Sequence, residues 1–173
     1  MSRSVCTLLA WNTGLLAGYF LPVLICTLAS LTFMSLESLS VMTFENIGFL
    51  ATNSRDLINI GSGTVVIYDN IVTNTGGVYN ALTGEFTSPR DGLYFFTWTT
   101  LCQSGKEFET CMYHNGNVVA RNFADATGLP RHMSGTQSAV LLMKKDDKVT
   151  IRAQLSGQFM YRNFWSTFSG FQV

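Results

Sequence analysis

Charge is what this sequence has least of. Asp, Glu, Lys and Arg make up 13% of its 173 residues, against about 25% in an ordinary soluble domain. Lys plus Arg number 11 and Asp plus Glu number 11, so there is no basic excess to neutralise phosphates, and nucleic acid is excluded as a partner. Histidine is nearly as scarce. The two present, His114 and His132, belong to no spaced ligand set, neither a pair one helical turn apart nor a CxxC arrangement. No helical pattern follows Val41, so no phosphate-binding glycine loop has a helix to open. Gly61-Ser62-Gly63 lacks the strand-then-helix setting of a nucleophile elbow. With no nucleophile or metal cluster in view, an enzyme is not expected. Low charge with 13% aromatic residues fits a protein that hides more surface than a monomer can, by oligomerising or by entering a membrane.

The first candidate for hidden surface is the N-terminus. Everything between Arg3 and Glu37 is uncharged, and Leu15 to Met34 reads LLAGYFLPVLICTLASLTFM. A basic residue before an apolar stretch is an export pattern, and Thr27-Leu28-Ala29 offers small residues for cleavage after Ala29. The stretch exceeds the usual signal core of about 7–15 residues and matches the about 20 that span a bilayer. A cleaved signal and a retained signal-anchor both place the remainder outside the cell, with Arg3 on the cytoplasmic side. Residues 1–40 are therefore read as signal or anchor plus a short linker, and residues 41–173 as one extracellular domain. Contact with a membrane is expected only if the segment is retained.

Cys6 and Cys26 lie in the export segment. Cys102 and Cys111 flank QSGKEFET, whose Gly105 sits in a polar loop between two apolar runs. An oxidising compartment permits a disulfide between them. The alternative is two separate buried thiols, since Cys packs as a small hydrophobe.

From Val41 onward the pattern has period two, punctuated by Gly, Asn and Asp. VVIY (65–68), GEFTS (84–88), SAVLLM (138–143) and VTIRAQL (149–155) read as strands. In the last, Val149, Ile151, Ala153 and Leu155 are expected to point inward, with Thr150, Arg152 and Gln154 outward. Asn115-Gly116 is a strong hairpin signal between Met112-Tyr113 and Val118 to Ala120, and the charged KKDDK (144–148) is a solvated turn. Many short strands with turn punctuation indicate an all-β sandwich or jelly roll.

GLYFFTWTT (92–100) carries bulk on both faces. Leu93, Phe95, Thr97 and Thr99 fall on one side, and Tyr94, Phe96, Trp98 and Thr100 on the other. Such a strand belongs in the centre of a sheet. Binding is expected of loops on this scaffold. The candidates are Lys106 and Glu107, with Phe108 and Glu109 beside them, and the connection RNFADATGLPRH (121–132). In the latter, Arg121, Asp125, Arg131 and His132 could grip a carboxylate or a hydroxyl-rich ligand.

From Tyr68 to Trp98 the chain resembles the signature of the complement C1q globular-head family. That pattern asks for an aromatic, Asn or Asp six later, an aromatic or Leu five later, Phe seven later, then Gly six later followed by Y-x-F-x-aromatic. Tyr68, Asn74, Tyr79, Phe86, Gly92, Tyr94, Phe96 and Trp98 stand in register with it. Tyr68 replaces the usual Phe, and Trp98 the usual Phe or Tyr. The stretches YDNIVTNTGGVYN, SGTQSAVLLMKKDDKVTIRA and STFSGFQV agree further, so the resemblance covers Val41 to Val173.

The resemblance implies a ten-stranded jelly roll shared with the tumour necrosis factor family, assembled as a homotrimer. It implies non-enzymatic recognition of carbohydrate, of microbial surface polymers or of a receptor protein, often in innate immunity. Cofactors are not required by it, although some members bind calcium near the trimer apex; no residues here match those ligands. The sequence has no Gly-X-Y run and looks most like the head-only secreted members numerous in molluscs. A trimer would then be held by the heads alone or by a membrane anchor. A cytokine-like or adhesive ligand and an extracellular matrix component are the other readings that the family admits. The family spacing puts Tyr94, Phe96 and Trp98 in the interior, which leaves Leu93 and Phe95 to be covered by a neighbouring subunit or by another segment of the sheet.

Overall fold

The computed structural model describes residues 46–155, 157–161 and 164–173. The export segment, the linker, Cys6 and Cys26 lie outside them. Among the described residues there is no helix, and twelve strands replace the expected ten, because several short pairings count separately. In chain order they are β1 (Gly48–Thr52), β2 (Leu57–Ile60), β3 (Asn70–Thr75), β4 (Tyr79–Asn80), β5 (Glu85–Thr87) and β6 (Gly92–Cys102). There follow β7 (Glu107–His114), β8 (Asn117–Asp125), β9 (Met133–Met143), β10 (Lys148–Ala153), β11 (Gln158–Met160) and β12 (Thr167–Gln172).

The strands form a two-sheet jelly roll. One sheet has seven strands in the order β2-β11-β6-β12-β1-β3, with β9 paired to the other edge of β6 along its whole length. The other has five, in the order β4-β5-β10-β7-β8. GLYFFTWTT is the start of β6, flanked on both sides. Tyr94, Phe96 and Trp98 are completely buried against Phe86 of β5 and Phe108 and Met112 of β7. Several core rings pack edge to face, an arrangement their quadrupoles favour: Phe86 and Phe96 lie 5.0 Å apart at 76°, and Phe49 and Phe168 4.9 Å apart at 82°.

The rest of the signature is explained by hydrogen bonding. Asn74 clamps the Tyr79 backbone from both ends of its amide, Oδ1 accepting from Tyr79 N at 3.0 Å and Nδ2 donating to Tyr79 O at 2.9 Å. The Tyr79 hydroxyl donates in turn to Tyr68 O at 3.1 Å. Burial pushes the Tyr79 phenol up to about 12 and the Tyr68 phenol further, so both stay protonated. A side chain at Gly92 would collide with the Gln172 amide, which sits against it and accepts from Arg90 Nε at 2.6 Å.

Turn chemistry sets the connections. Asn115 and Gly116 have φ of 48° and 82°, the two positive values of a type I′ turn, and they join β7 to β8 as the sequence indicates. KKDDK is a turn, but it crosses between sheets. β9 before it pairs with β6, whereas β10 after it pairs with β5 and β7. Two strand expectations are corrected. VVIY makes only a single bridge, Val65 to Arg152, although Val66 and Tyr68 are buried. Leu155 is exposed rather than inward, because β10 ends at Ala153.

Candidate recognition surfaces

The loops predicted to bind are brought together only in part. The β6–β7 turn and the β8–β9 connection are tied by Gly105 N to Ala126 O at 3.0 Å and Ala126 N to Lys106 O at 2.8 Å. Ser104 Oγ donates to Leu129 O at 2.8 Å, and Ser104 N donates to His132 Nδ1 at 3.0 Å. Lys106, Glu107, Asp125, Arg131 and His132 are all exposed on this joined surface. It lies at the far end of the sandwich from Ile47 and Gln172, which pair with each other.

Arg121 stands apart from it. It lies midway along β8, and its guanidinium donates to Glu109 Oε1 at 3.0 Å. Asp125 serves its own turn, where Oδ1 accepts from Thr127 N at 2.8 Å, and that bond holds its carboxyl below the usual range. Glu107 and Asp125 face each other across β7 and β8. Even so, no group of three or more His, Cys, Asp or Glu among the described residues could hold a metal ion.

Of the two arrangements the sequence leaves open for Cys102 and Cys111, the structure has the separate one: both are free, buried thiols. The reason is direction. Cys102 points into the core from β6, and its thiol donates weakly to Lys106 O at 3.6 Å. On β7, Phe108 and Met112 point inward, so Cys111 between them points out of the sandwich, level with Arg121 and Arg152. Desolvation pushes both thiols up.

Two features go further than the sequence reading did. The first is an aromatic chain at the same far end. The His132 ring meets Tyr161 edge-on at 4.4 Å, and Tyr161 meets Phe159 at 4.8 Å. Tyr161 is fixed by its backbone: Asn53 Nδ2 donates to its carbonyl at 2.6 Å, and its N–H donates to Leu101 O at 3.2 Å. The density of rings in FMYRNFW was the available signal, but contact with His132 spans 29 positions of sequence (161 minus 132).

The second is the outer face of the seven-stranded sheet. Strands β3, β1, β12, β6 and β9 contain no charged residue. Phe95 and Phe171 touch on this face with centroids 5.4 Å apart; Phe171 is exposed, as are Leu93, Val140 and Leu142 on the same strands and on β9. Toward the far end the face turns to hydroxyls, with Thr99 and Thr136 bonded at 2.8 Å. By contrast, the five-stranded sheet carries ion pairs, Lys148 with Glu85 and Arg121 with Glu109.

Comparison with known proteins agrees with this architecture. The family model described as C1q domain matches residues 48–173. The chain is 32% identical over 128 residues to complement C1q tumor necrosis factor-related protein 3 of Mus musculus, covering 72% of this chain and 50% of that protein. It is 24% identical over 138 residues to the heavy metal-binding protein HIP of Mytilus edulis, covering 79% and 65%. The chain thus spans about half the length of the first of these relatives. Among solved structures, the globular domain of zebrafish complement 1qA superposes with a TM-score of 0.59 at 16% identity, covering 75% of this chain and 97% of that one. Eiger, a tumour necrosis factor of S. frugiperda, gives 0.63 at 11%, covering 75% and 93%. These two likenesses are of fold. C1q domains are binding modules rather than enzymes, and this domain is one of them. The signature aromatics in the core, the two-sheet jelly roll and the match over residues 48–173 identify the chain as a member of the C1q domain family.

Proposed function

We propose that this chain is an extracellular recognition protein that assembles as a trimer and binds carbohydrate or microbial surface polymers multivalently. The observation that carries the assembly is the uncharged outer face of the seven-stranded sheet, with Leu93, Phe95, Val140, Leu142 and Phe171 clustered on it. A face of that composition costs little to desolvate and gains from burial. Three-fold stoichiometry follows the family resemblance, and a cyclic arrangement closes the contact without leaving a free edge. Recognition is assigned to the joined loops at the far end, whose Lys106, Glu107, Asp125, Arg131 and His132 are exposed. Several weak sites on one particle then gain strength through avidity.

The N-terminal run supports export. N-terminal sequencing of the protein released by cells expressing the full chain tests it: a start near Ser30 or Val41 supports secretion, and an intact Met1 supports a tether. Sedimentation of the same protein is expected to give the mass of three chains. An array of glycans and microbial polymers is expected to retain it. Retention by a protein ligand alone would replace the lectin-like reading with a receptor-binding one.

A further inference from the structure

We propose that His132, Tyr161 and Phe159 form a subsite for a sugar ring, an inference that rests on the recognition reading above and gives it an address. His132 Nδ1 accepts the Ser104 N–H at 3.0 Å. A ring nitrogen that accepts carries no hydrogen, so in the neutral imidazole the hydrogen sits on Nε2. That N–H has no hydrogen-bond partner among the described residues, and His132 is exposed. Beside it the Tyr161 ring stands edge-on at 4.4 Å, and Phe159 continues the wall at 4.8 Å. The cluster therefore offers an apolar aromatic surface next to one fixed donor. A pyranose presents the complementary pair, a face of C–H bonds and hydroxyl oxygens at its rim, and aromatic rings with a few placed polar groups are how such ligands are oriented.

The subsite is held in place before any ligand arrives. Buried Asn53 fixes the Tyr161 carbonyl at 2.6 Å and that of Arg55 at 3.1 Å. Leu101 fastens both sides of the connection that follows β11: its carbonyl accepts from Tyr161 N at 3.2 Å, and its N–H donates to Ser166 Oγ at 3.0 Å. On the other side, Ser104 fastens the loop through Leu129 O at 2.8 Å. Ligand binding then orders few side chains, which keeps the entropic cost low.

The test uses protein from cells expressing the full chain, and albumin conjugates of mannose, galactose, N-acetylglucosamine and sialic acid as probes. Tyr161→Ala is expected to weaken the best conjugate about tenfold, with Tyr161→Phe restoring most of the binding and His132→Phe losing the donor while keeping a ring. Sedimentation of each variant reports assembly. Unchanged binding by Tyr161→Ala would overturn the subsite and leave the recognition reading standing. Loss of the trimer in Tyr161→Ala and Tyr161→Phe alike would also overturn it, by making the cluster an assembly contact. Failure of the parent protein to bind any conjugate or microbial polymer would overturn both.

Discussion

Trp98 Nε1 donates a 2.8 Å hydrogen bond to Thr110 Oγ1, and both side chains are wholly buried. The bond links β6 of one sheet to β7 of the other through the middle of the core. Indole has a single donor and no second way to satisfy it. Thr110→Val keeps the shape and removes the acceptor, so it is expected to cost about 1–3 kcal/mol, read from urea unfolding. Thr110→Ser should retain most of the stability; equal losses in the two variants would show that the hydroxyl is immaterial.

Assembly is tested on the opposite face of the same strand. Phe95 packs on Phe171 outside the sandwich, so Phe95→Asp leaves the core untouched and puts a charge into the face proposed to meet a second copy. Sedimentation is expected to show a smaller particle, with circular dichroism near that of the parent wherever the domain still folds. A well-folded trimer of Phe95→Asp would refute the assignment of this face.

Acid should loosen the end near the C-terminal strand. Asp147 accepts from Asn115 Nδ2 at 2.8 Å, from Lys144 N at 2.8 Å and from His114 Nε2 at 3.0 Å. These bonds, the one from Asn115 foremost, lower its carboxyl from 3.8 to about 2. A group that is more acidic folded than unfolded stabilises fully above its unfolded value and progressively less below it. The contribution is therefore present above pH about 4 and fades between about 4 and 2. Asp147→Asn should flatten that part of the stability profile, measured by thermal unfolding at stepped pH; a profile identical to the parent's would remove Asp147 from the account.

The thiols should be silent. With Cys102 and Cys111 buried and their ionisation disfavoured by desolvation, the reactive thiolate is scarce. Iodoacetamide followed by peptide mapping is expected to label neither in the folded protein and both after denaturation without reductant. Recovery of a peptide pair joined by these two cysteines would contradict the geometry.

Gly170 is where the core leaves room for no more. A Cβ there would overlap the Phe96 ring and come within 3.0 Å of Phe49. Gly170→Ala is expected to destabilise by about 1–3 kcal/mol through overpacking, visible as a lower midpoint in denaturant.

Most of the sandwich was legible because its determinants are local. Alternation announced β6 and β10, Asn115-Gly116 announced the β7–β8 hairpin, and aromatic spacing named the family. What escaped depends on direction or on distance in sequence. Period two could say that Cys111 alternates with its neighbours but not that its side is the outer one, so pairing with Cys102 stayed open. SAVLLM and VTIRAQL look like partners across a turn, yet they enter different sheets, because strand pairing is decided by which edges are available. Arg121 and His132 belong to one loop by sequence; β8 carries the first onto a sheet face and leaves the second beside Tyr161. The uncharged face was visible strand by strand as missing Lys and Glu, and became a surface only when β9, β6, β12, β1 and β3 were laid side by side.

The order of that sheet also bears on how the domain is made. β12 lies between β1 and β6 and is bonded to both, although it is the last strand in chain order. During synthesis, β1 and β3 can pair early and β6 can pair with β9, but the two halves are joined only when Thr167–Gln172 leaves the ribosome. Until then two long edges stand open. Completion is thus a late, non-local event of the kind that makes folding slow, and a chain cut short before Thr167 would retain its aromatic core residues without the strand that closes the sheet over them.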